Sequence, residues 1–559
     1  MKIVVVGGVA GGMSAAARAR RLAEDAEIVV LERGEYVSFA NCGLPYHVGE
    51  EIADRASLLL QTPASLHAAL NLDVRTGHEV VSIDPAAKQV IARTPHGGTT
   101  VVDYDALVLS PGATPIRPPI EGLDLPQVTT LRTVPDADTL RALVTDSARR
   151  AVVLGAGFIG LEAAEALRMR GLEVDLVDLA PHVLPPLDGE LAELLDAELT
   201  SRGVTTYIGL AATSITRTLG ADHLVEVTLS DGTVLPADMV VLSVGVRPDT
   251  HLAAAAGLEL GAGGAIVVDN AQRTSDPSIW AVGDATAVRH GVTGVVAPVP
   301  LAGPANRQGR RAADSIFGRL TEATLARPVL GTAVVRVFGL TAAVTGASQH
   351  MLRQAGIVHH VVHTHPGHHA GYFPGSEQIH MTVAFAPDGR LLGAQAVGRA
   401  GVDKRIDVLA TALAAGMTMD DVAELELAYA PPYGSAKDPV NMAGMVAQNV
   451  LDGSLTLWYP HQLEEVAATS LIVDVRSHGE FRRGHLAGAM NVPHTEVRAH
   501  LEQIREAAAG RSVRVHCASG FRSYLAHRIL VQEGFDSANL SGGMLTLRAA
   551  RPDVELVTG

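Results

Sequence analysis

The chain has 559 residues, 47% of them hydrophobic, 19% charged and 4% aromatic, with 56 glycines. That length suits roughly three to five domains, and the composition is that of a soluble globular enzyme of alternating strands, helices and tight turns. A formal net charge of -16 excludes a general role on nucleic acid or an anionic membrane, so an anionic ligand has to be caught by local groups. The N-terminus lacks the basic region and cleavage site of a secretory signal, and no run approaches the about 18 apolar residues of a membrane span. The chain reads as cytoplasmic, where its two cysteines, Cys42 and Cys517, start reduced.

The β-branched run Ile3-Val4-Val5-Val6 is too short for a helix and leads into Gly7-Gly8-Val9-Ala10-Gly11-Gly12, after which Met13 to Ala23 is helical. Strand, glycine turn and helix form a dinucleotide-binding start, with the helix N-terminus facing a pyrophosphate. Val9 occupies the middle glycine position. The second strand, Ile28 to Leu31, ends at Glu32, an acid at the distance expected for ribose hydroxyls. Arg18 and Arg21 share a helix face, which is either solvated or a clamp for a phosphorylated substrate; spacing alone does not choose.

Ser38-Phe39-Ala40-Asn41-Cys42-Gly43-Leu44-Pro45-Tyr46 carries the first cysteine. No C-x-x-C pair exists, so the oxidised partner of Cys42 is a small molecule, an oxygen atom or Cys517. A chain of this length needs no disulfide staple, and two solitary thiols in two distinct loops read as two reactive centres.

Leu107-Val108-Leu109-Ser110-Pro111-Gly112 is a buried strand closing on a turn. A second nucleotide unit follows: Ala151 to Leu154, then Gly155-Ala156-Gly157-Phe158-Ile159-Gly160 with all three glycines, then a helix, then Val174 to Val177 ending on Asp178. Asp178 favours an unphosphorylated ribose and no Arg or Lys follows it in Leu179 to His182, so NADH is expected over NADPH. Val240 to Val244 with Gly245-Val246-Arg247-Pro248, and Ile279 to Gly283 ending on Asp284, supply return strands, with Asp284 placed to meet a flavin ribitol. Two dinucleotide sites in one chain imply a relay between nucleotides, most simply a nicotinamide reducing a flavin.

The paired glycine units, Ser110-Pro111-Gly112-Ala113, Gly245-Val246-Arg247-Pro248 and Val282-Gly283-Asp284 resemble the pyridine nucleotide-disulfide oxidoreductase family from Met1 to about Asn449, and the single-cysteine segment is similar to coenzyme A-disulfide reductases. The resemblance implies FAD contacts from Gly7, Gly12, Glu32 and Asp284, NAD(P)H contacts from Gly155, Gly157, Gly160 and Asp178, and further cofactor contacts from Val9, Arg33, Asn41, Ser110, Gly112 and Gly245. It implies a Cys42 that alternates between thiolate and a mixed disulfide with coenzyme A. Coenzyme A contacts are implied for Arg18, Arg21, Ser38, Asn41, Asn306, Arg310 and Lys437.

From about Arg327 strand-like runs such as Ala333 to Phe338 alternate with helix-like ones such as Ile406 to Ala415. In the family this is the dimerisation domain, and the resemblance implies a homodimer in which Tyr372, Tyr429 and Tyr433 reach the second subunit's active site. A phenol beside a thiolate can donate a hydrogen bond and later a proton. His359, His360, His363, His365, His368 and His369 crowd one stretch without Cys, Asp or Glu at ligand spacing; they read as surface or substrate-side histidines, and no metal is assigned.

After a break in pattern, Leu471-Ile472-Val473-Asp474-Val475-Arg476 opens a small α/β unit that leads through Val513 to His516 into Cys517-Ala518-Ser519-Gly520-Phe521-Arg522. A loop between strand and helix collects N–H groups around the sulfur, and the helix N-terminus and Arg522 favour an anionic thiolate or persulfide. These segments resemble a rhodanese domain, which implies that Cys517 carries sulfane sulfur.

The expected fold is α/β: two Rossmann-like dinucleotide-binding domains, an α+β dimerisation domain and a C-terminal rhodanese domain. Expected boundaries are 1–114 and 251–326 for the FAD-binding parts, 115–250 for the NAD-binding domain, 327–449 for dimerisation, 450–462 for a linker and 463–559 for the rhodanese domain. The leading expectation is an NADH-dependent flavoprotein reductase of coenzyme A disulfide, coenzyme A persulfide or polysulfide, with Cys42, Cys517, the three tyrosines and Arg522 as catalytic groups. The alternatives are an NADH oxidase or peroxidase cycling through a Cys42 sulfenic acid, and a redox sensor or sulfur-carrier module with a regulatory flavin half.

Overall fold

In the computed structural model, which describes residues 1–219 and 222–559, the chain divides into a first unit of residues 1–180 and 203–331 and a second of residues 181–202 and 332–559. The first unit contains two five-stranded sheets. One is parallel, in the order Ile279–Ala281, Ala106–Leu109, Lys2–Val6, Glu27–Glu32, Asp73–Thr76. Its central strand is buried on both faces, the pattern that a continuous β-branched run gives in a parallel sheet. The other repeats the arrangement with Val204–Ile208, Glu173–Asp178, Arg150–Leu154, Met239–Leu242 and Val128–Thr129. Two antiparallel three-stranded meanders and two two-stranded antiparallel pairs complete the unit.

The helix Ala10–Leu22 follows the first strand and packs along Ala302–Ile316. Small residues permit that approach: a Cβ on Gly309 would stand 2.1 Å from the Gly11 carbonyl oxygen. Side chains four apart on each helix therefore face one another across a common seam.

The second unit holds an antiparallel sheet in the order Ala333–Val337, Leu340–Gly346, Leu391–Gly398, Ile379–Phe385, His360–Thr364. Val402–Ala414 and Pro439–Leu451 cover it, burying Ile406, Leu409 and Val440 against Met381 and Val383. It also holds a parallel sheet in the order Leu457–Trp458, Ser537–Leu540, Ser512–His516, Ser470–Asp474, Met490–Asn491. Leu457–Trp458, inside the stretch expected as a linker, is an edge strand of that sheet; two residues are too few to show a period.

The two sheets of this unit are joined by polar contacts. His363 lies 2.8 Å from Ser541 Oγ through Nδ1 and 3.0 Å from Glu190 through Nε2, His365 lies 2.8 Å from Thr546 Oγ1, and Tyr459 donates to the Val361 carbonyl. This corrects the expectation of surface histidines: His363 is buried and His365 half-buried against the parallel sheet and its following helix, and His369 is buried edge-on against Phe373. Among the described residues, no helix is long and apolar enough to cross a membrane.

Candidate active site: two cysteine centres

The two glycine turns of the first unit are built alike. Gly7 and Gly155 have φ of +100° and +104°, and a Cβ on either would stand within 2.4 Å of the Ser110 or Ser243 carbonyl oxygen. Gly12 and Gly160 approach their own turns as closely, with a Cβ falling 1.9 and 1.8 Å from the Gly7 and Gly155 carbonyls. These four glycines are demanded by the fold. Gly157 differs: its backbone is extended and an added Cβ would meet nothing within 4 Å among the described residues, so its missing side chain leaves room above the turn. At the first turn Val9 stands at the helix N-cap instead.

At the end of each second strand the acid closes back on the turn. Glu32 accepts from the Gly8 N–H at 2.6 Å and the Gly34 N–H at 2.7 Å, and Asp178 accepts from the Ala156 and Ala180 N–H groups at 2.5 and 2.7 Å. Helix N-terminus and ribose-side acid fit a dinucleotide at each turn, and the second adds the open space above Gly157. Arg33 is ion-paired with Asp249 at 2.8 Å. Gly245 brings Val246–Pro248 back along Ala113–Pro115, beside the turn at Gly112.

Asp284 lies 3.3 Å from Arg132, whose guanidinium also stands 3.3 Å from where a Gly112 Cβ would be. A Cβ on Gly11 would be 3.0 Å from Ser110 Oγ, so Ser110, Gly112 and Asp284 converge near the first turn, with Arg132 as a cation that sequence reasoning missed. Arg132 immediately precedes the capping box of Thr133 and Asp136, a signal of a helix start but not of a ligand.

Cys42 sits in the one-turn helix Asn41–Gly43, ahead of Leu44–Val48. The segment is entered through Ser38, a non-glycine residue with φ of +48° whose N–H donates to the Gly8 carbonyl, tying it to the first turn. The Cys42 thiol is 3.5 Å from Asn41 Oδ1. Burial, then the carboxylates of Glu162 and Asp284, push the Cys42 pKa up. Cys42 thus shares electrostatic surroundings with Asp284, and the first unit's charges favour the neutral thiol. Glu162, which also accepts from Tyr46 at 3.1 Å, comes from the helix Phe158–Met169 of the second nucleotide turn.

Along the helix seam Ser14 donates to Asn306 at 2.6 Å, and Arg18 is paired with Asp314 at 2.7 Å. The guanidinium expected as a clamp is therefore already matched inside the chain. Arg21 and Arg310 lie on the same two helices with exposed side chains.

In the second unit, the hydroxyls of Tyr372 and Tyr429 are 3.0 Å apart, both residues being exposed, and that hydrogen bond pushes the Tyr372 pKa up. Tyr433 and Lys437 are exposed on the same loop as Tyr429. The two tyrosine loops are clamped from beneath by Arg405, which donates to the His368 carbonyl at 2.7 Å and to Asp438 at 2.8 Å, while Asp438 caps the helix Pro439–Leu451. Arg405 and Asp438 are buried.

Cys517 is fully buried at the end of Ser512–His516. Its Sγ accepts from the Gly520 N–H and from Ser523 Oγ, each at 3.2 Å. The loop is held by the N-terminus of Gly543–Ala550, where Met544 and Leu545 donate to the Cys517 and Ala518 carbonyls at 2.9 Å. Arg522 is forked onto Glu480 at 2.7 and 2.8 Å, which draws the Glu480 pKa down to about 2. Glu480 first, and then Cys517, favour the charged Arg522 guanidinium. His516, buried beside Cys517 and facing Asp474 at 3.9 Å, is held neutral by burial, its pKa pushed down to about 4.

Residues 1–309 match the pyridine nucleotide-disulphide oxidoreductase family, 332–439 its dimerisation domain, and 457–550 the rhodanese-like domain. The chain belongs to the pyridine nucleotide-disulphide oxidoreductase family. Among curated members, a coenzyme A disulfide reductase of Staphylococcus haemolyticus is 35% identical over 452 residues, 80% of this chain and 100% of that protein. Among solved structures, reduced CoADR-RHD of Bacillus anthracis is 42% identical with a TM-score of 0.96, covering 100% of this chain and 99% of that one. An NAD-dependent persulfide reductase from A. fulgidus is 38% identical with a TM-score of 0.90, covering 98% and 100%. Membership implies FAD and a pyridine nucleotide as cofactors, which the two turns fit, and the dimerisation domain points to a homodimer.

Proposed function

We propose that the protein is an NADH-dependent reductase of coenzyme A disulfide and coenzyme A persulfide, working as a cytoplasmic homodimer, with polysulfide as an ultimate sulfur source delivered through the rhodanese domain. The observation that carries this reading is the solitary Cys42 thiol within electrostatic reach of Asp284, beside a turn built for a dinucleotide. Bound FAD and a reduced pyridine nucleotide would supply the electron pair. Gly7, Gly12, Glu32, Ser110, Gly112 and Asp284 would hold the first, and Gly155, Gly157, Gly160 and Asp178 the second.

Cys42 attacks the sulfur bonded to coenzyme A, forming a mixed disulfide and releasing a thiolate from the disulfide or hydrosulfide from the persulfide. Its thiolate needs donors, since Glu162 and Asp284 oppose the charge. The paired phenols of Tyr372 and Tyr429, contributed across the dimer, supply a hydrogen bond and then a proton to the leaving sulfur. In the first unit Arg21 and Arg310 are exposed cations suited to coenzyme A phosphates, with Ser38, Asn41 and Asn306 as polar groups and Arg18 available on release from Asp314; in the second unit Lys437 is an exposed cation of the same kind. The two N–H groups already on Asp178 orient it for ribose hydroxyls and favour NADH.

The oxidase or peroxidase alternative gives the sulfur-loop domain nothing to do. Steady-state assays with both nucleotides and with coenzyme A disulfide, coenzyme A persulfide and peroxide test the reading. Turnover with the coenzyme A substrates and a kcat/KM preference for NADH is expected; faster turnover with peroxide, or a preference for NADPH, would contradict it.

A further inference from the structure

We propose that Ser523 is a catalytic residue of the Cys517 centre, supplying the hydrogen bond that holds negative charge on Sγ when sulfur is loaded and again when it is passed on. The inference rests on the reading of Cys517 as a sulfur carrier. Ser523 is fully buried and its hydroxyl stands 3.2 Å from Cys517 Sγ and 3.1 Å from the Gly520 carbonyl oxygen, so a single proton has two acceptors. The Gly520 carbonyl already receives an N–H from Asn539 at 3.1 Å, which leaves the Ser523 proton available to the sulfur. Arg522, the cation that the loop brings to the site, is forked onto Glu480. Among the described residues the other short donor on Sγ is the Gly520 N–H, a backbone group fixed by the loop, while Arg522 also bears on Cys517 from its place on Glu480.

The chemistry gives this donor two tasks. In loading, the Cys517 thiolate attacks the outer sulfur of a persulfide donor; a new S–S bond forms, the donor's S–S bond breaks, and the donor leaves as its thiolate, with no net oxidation. The charge then sits on the outer sulfur and Sγ is neutral, so the Ser523 hydroxyl can turn to Gly520. In unloading, an acceptor takes the outer sulfur, the Cys517 S–S bond breaks, and the electron pair returns to Sγ. Ser523 is placed to turn back to it. Hydrogen bonds to charged groups are the strong ones, so this donor should influence both steps.

Single-turnover kinetics on the full-length protein test the proposal, with glutathione persulfide as donor and cyanide as acceptor. Cyanide takes the outer sulfur as thiocyanate and leaves the Cys517 thiolate. Ser523→Ala removes one atom and places a strong helix former in the helix Phe521–Gln532, so the fold is retained, as its thermal midpoint will show. The variant should load and unload roughly tenfold more slowly than wild type at pH 7. At pH 9.5 the loading defect should shrink, because base replaces the donor in making the thiolate, while the unloading defect persists. Ser523→Thr, which keeps the hydroxyl, should restore most of both rates.

Unchanged unloading in folded Ser523→Ala, or a defect in loading and unloading that high pH abolishes equally, would overturn the role of Ser523. Failure of wild-type Cys517 to take up sulfur would instead overturn the carrier reading beneath it.

Discussion

The two cysteine centres of this chain solve opposite problems. Cys42 is exposed in a short turn, and burial of its sulfur, then the carboxylates of Glu162 and Asp284, push its pKa up. Cys517 is wholly buried, yet its sulfur receives a backbone N–H and a hydroxyl. A thiol whose own unit opposes ionisation depends on groups brought to it by cofactor, substrate or second subunit, and suits a reaction gated by assembly. A buried thiol with donors built into its own loop suits a store that holds sulfur between encounters.

Removing each sulfur in turn separates the two centres. Cys42→Ser should abolish coenzyme A disulfide reduction, a loss of roughly a thousandfold or more for a nucleophile without substitute. Cys517→Ser should leave that activity intact and eliminate only sulfur transfer from larger donors. Steady-state NADH oxidation with each substrate checks both, and equal losses in the two variants would erase the distinction.

Next in size is the buried support beneath the tyrosines. Arg405→Ala leaves Asp438 buried without its partner, which should cost about 3–5 kcal/mol and lower the melting temperature of the second unit. Calorimetry would show it. Where enough protein stays folded, reduction through Cys42 should fall while sulfur loading of Cys517 persists.

A smaller effect separates a glycine the fold needs from one a ligand needs. Gly157→Ala should leave the melting temperature unchanged and raise the KM for the pyridine nucleotide roughly tenfold, because the added methyl fills the space above the second turn. Gly160→Ala, with its Cβ aimed at the Gly155 carbonyl, should unfold that region. Nucleotide titration and thermal unfolding distinguish the two.

The smallest effect is pH dependence of the second unit. His365 pairs with His380 through Nδ1 atoms 2.9 Å apart, and burial, then His380 and His363, push its pKa down to about 3. Unfolded, the same ring takes its proton near 6.5. Between those values the unfolded chain binds more protons, so this contribution to stability is complete above pH 6.5 and is lost as the pH falls toward 3. A loss of at most about 2 kcal/mol between pH 7 and pH 5 is expected by urea unfolding followed at Trp458. His365→Asn should flatten it.

What could be read from the sequence was whatever local pattern enforces. Both glycine turns, their terminal acids and the two cysteine loops rest on spacing within about thirty residues, and the structure has the strands, turns and helices there. The partners that tune the sulfurs were not legible, for different reasons. Glu162 and Arg132 reach the first centre across long stretches of chain, and neither stands in a pattern that marks a ligand. Arg405 resembles any arginine on an amphipathic helix until its carbonyl and carboxylate partners are in place. Ser523 lies next to Arg522 in the sequence and was still missed, because a serine in the first turn of a helix usually serves the helix. The histidine run was misjudged through composition, which cannot tell a polar surface strand from one packed on a second sheet.

On the proposed function, Cys42 is the sulfur that exchanges electrons with the coenzyme A substrate. Intact-mass and peptide-mass measurement of the FAD-loaded protein, after coenzyme A disulfide and then after one equivalent of NADH, tests it most directly. A coenzyme A adduct on the peptide containing Cys42, discharged by NADH, is the expected result; no adduct there, or an adduct that NADH leaves in place, would contradict it.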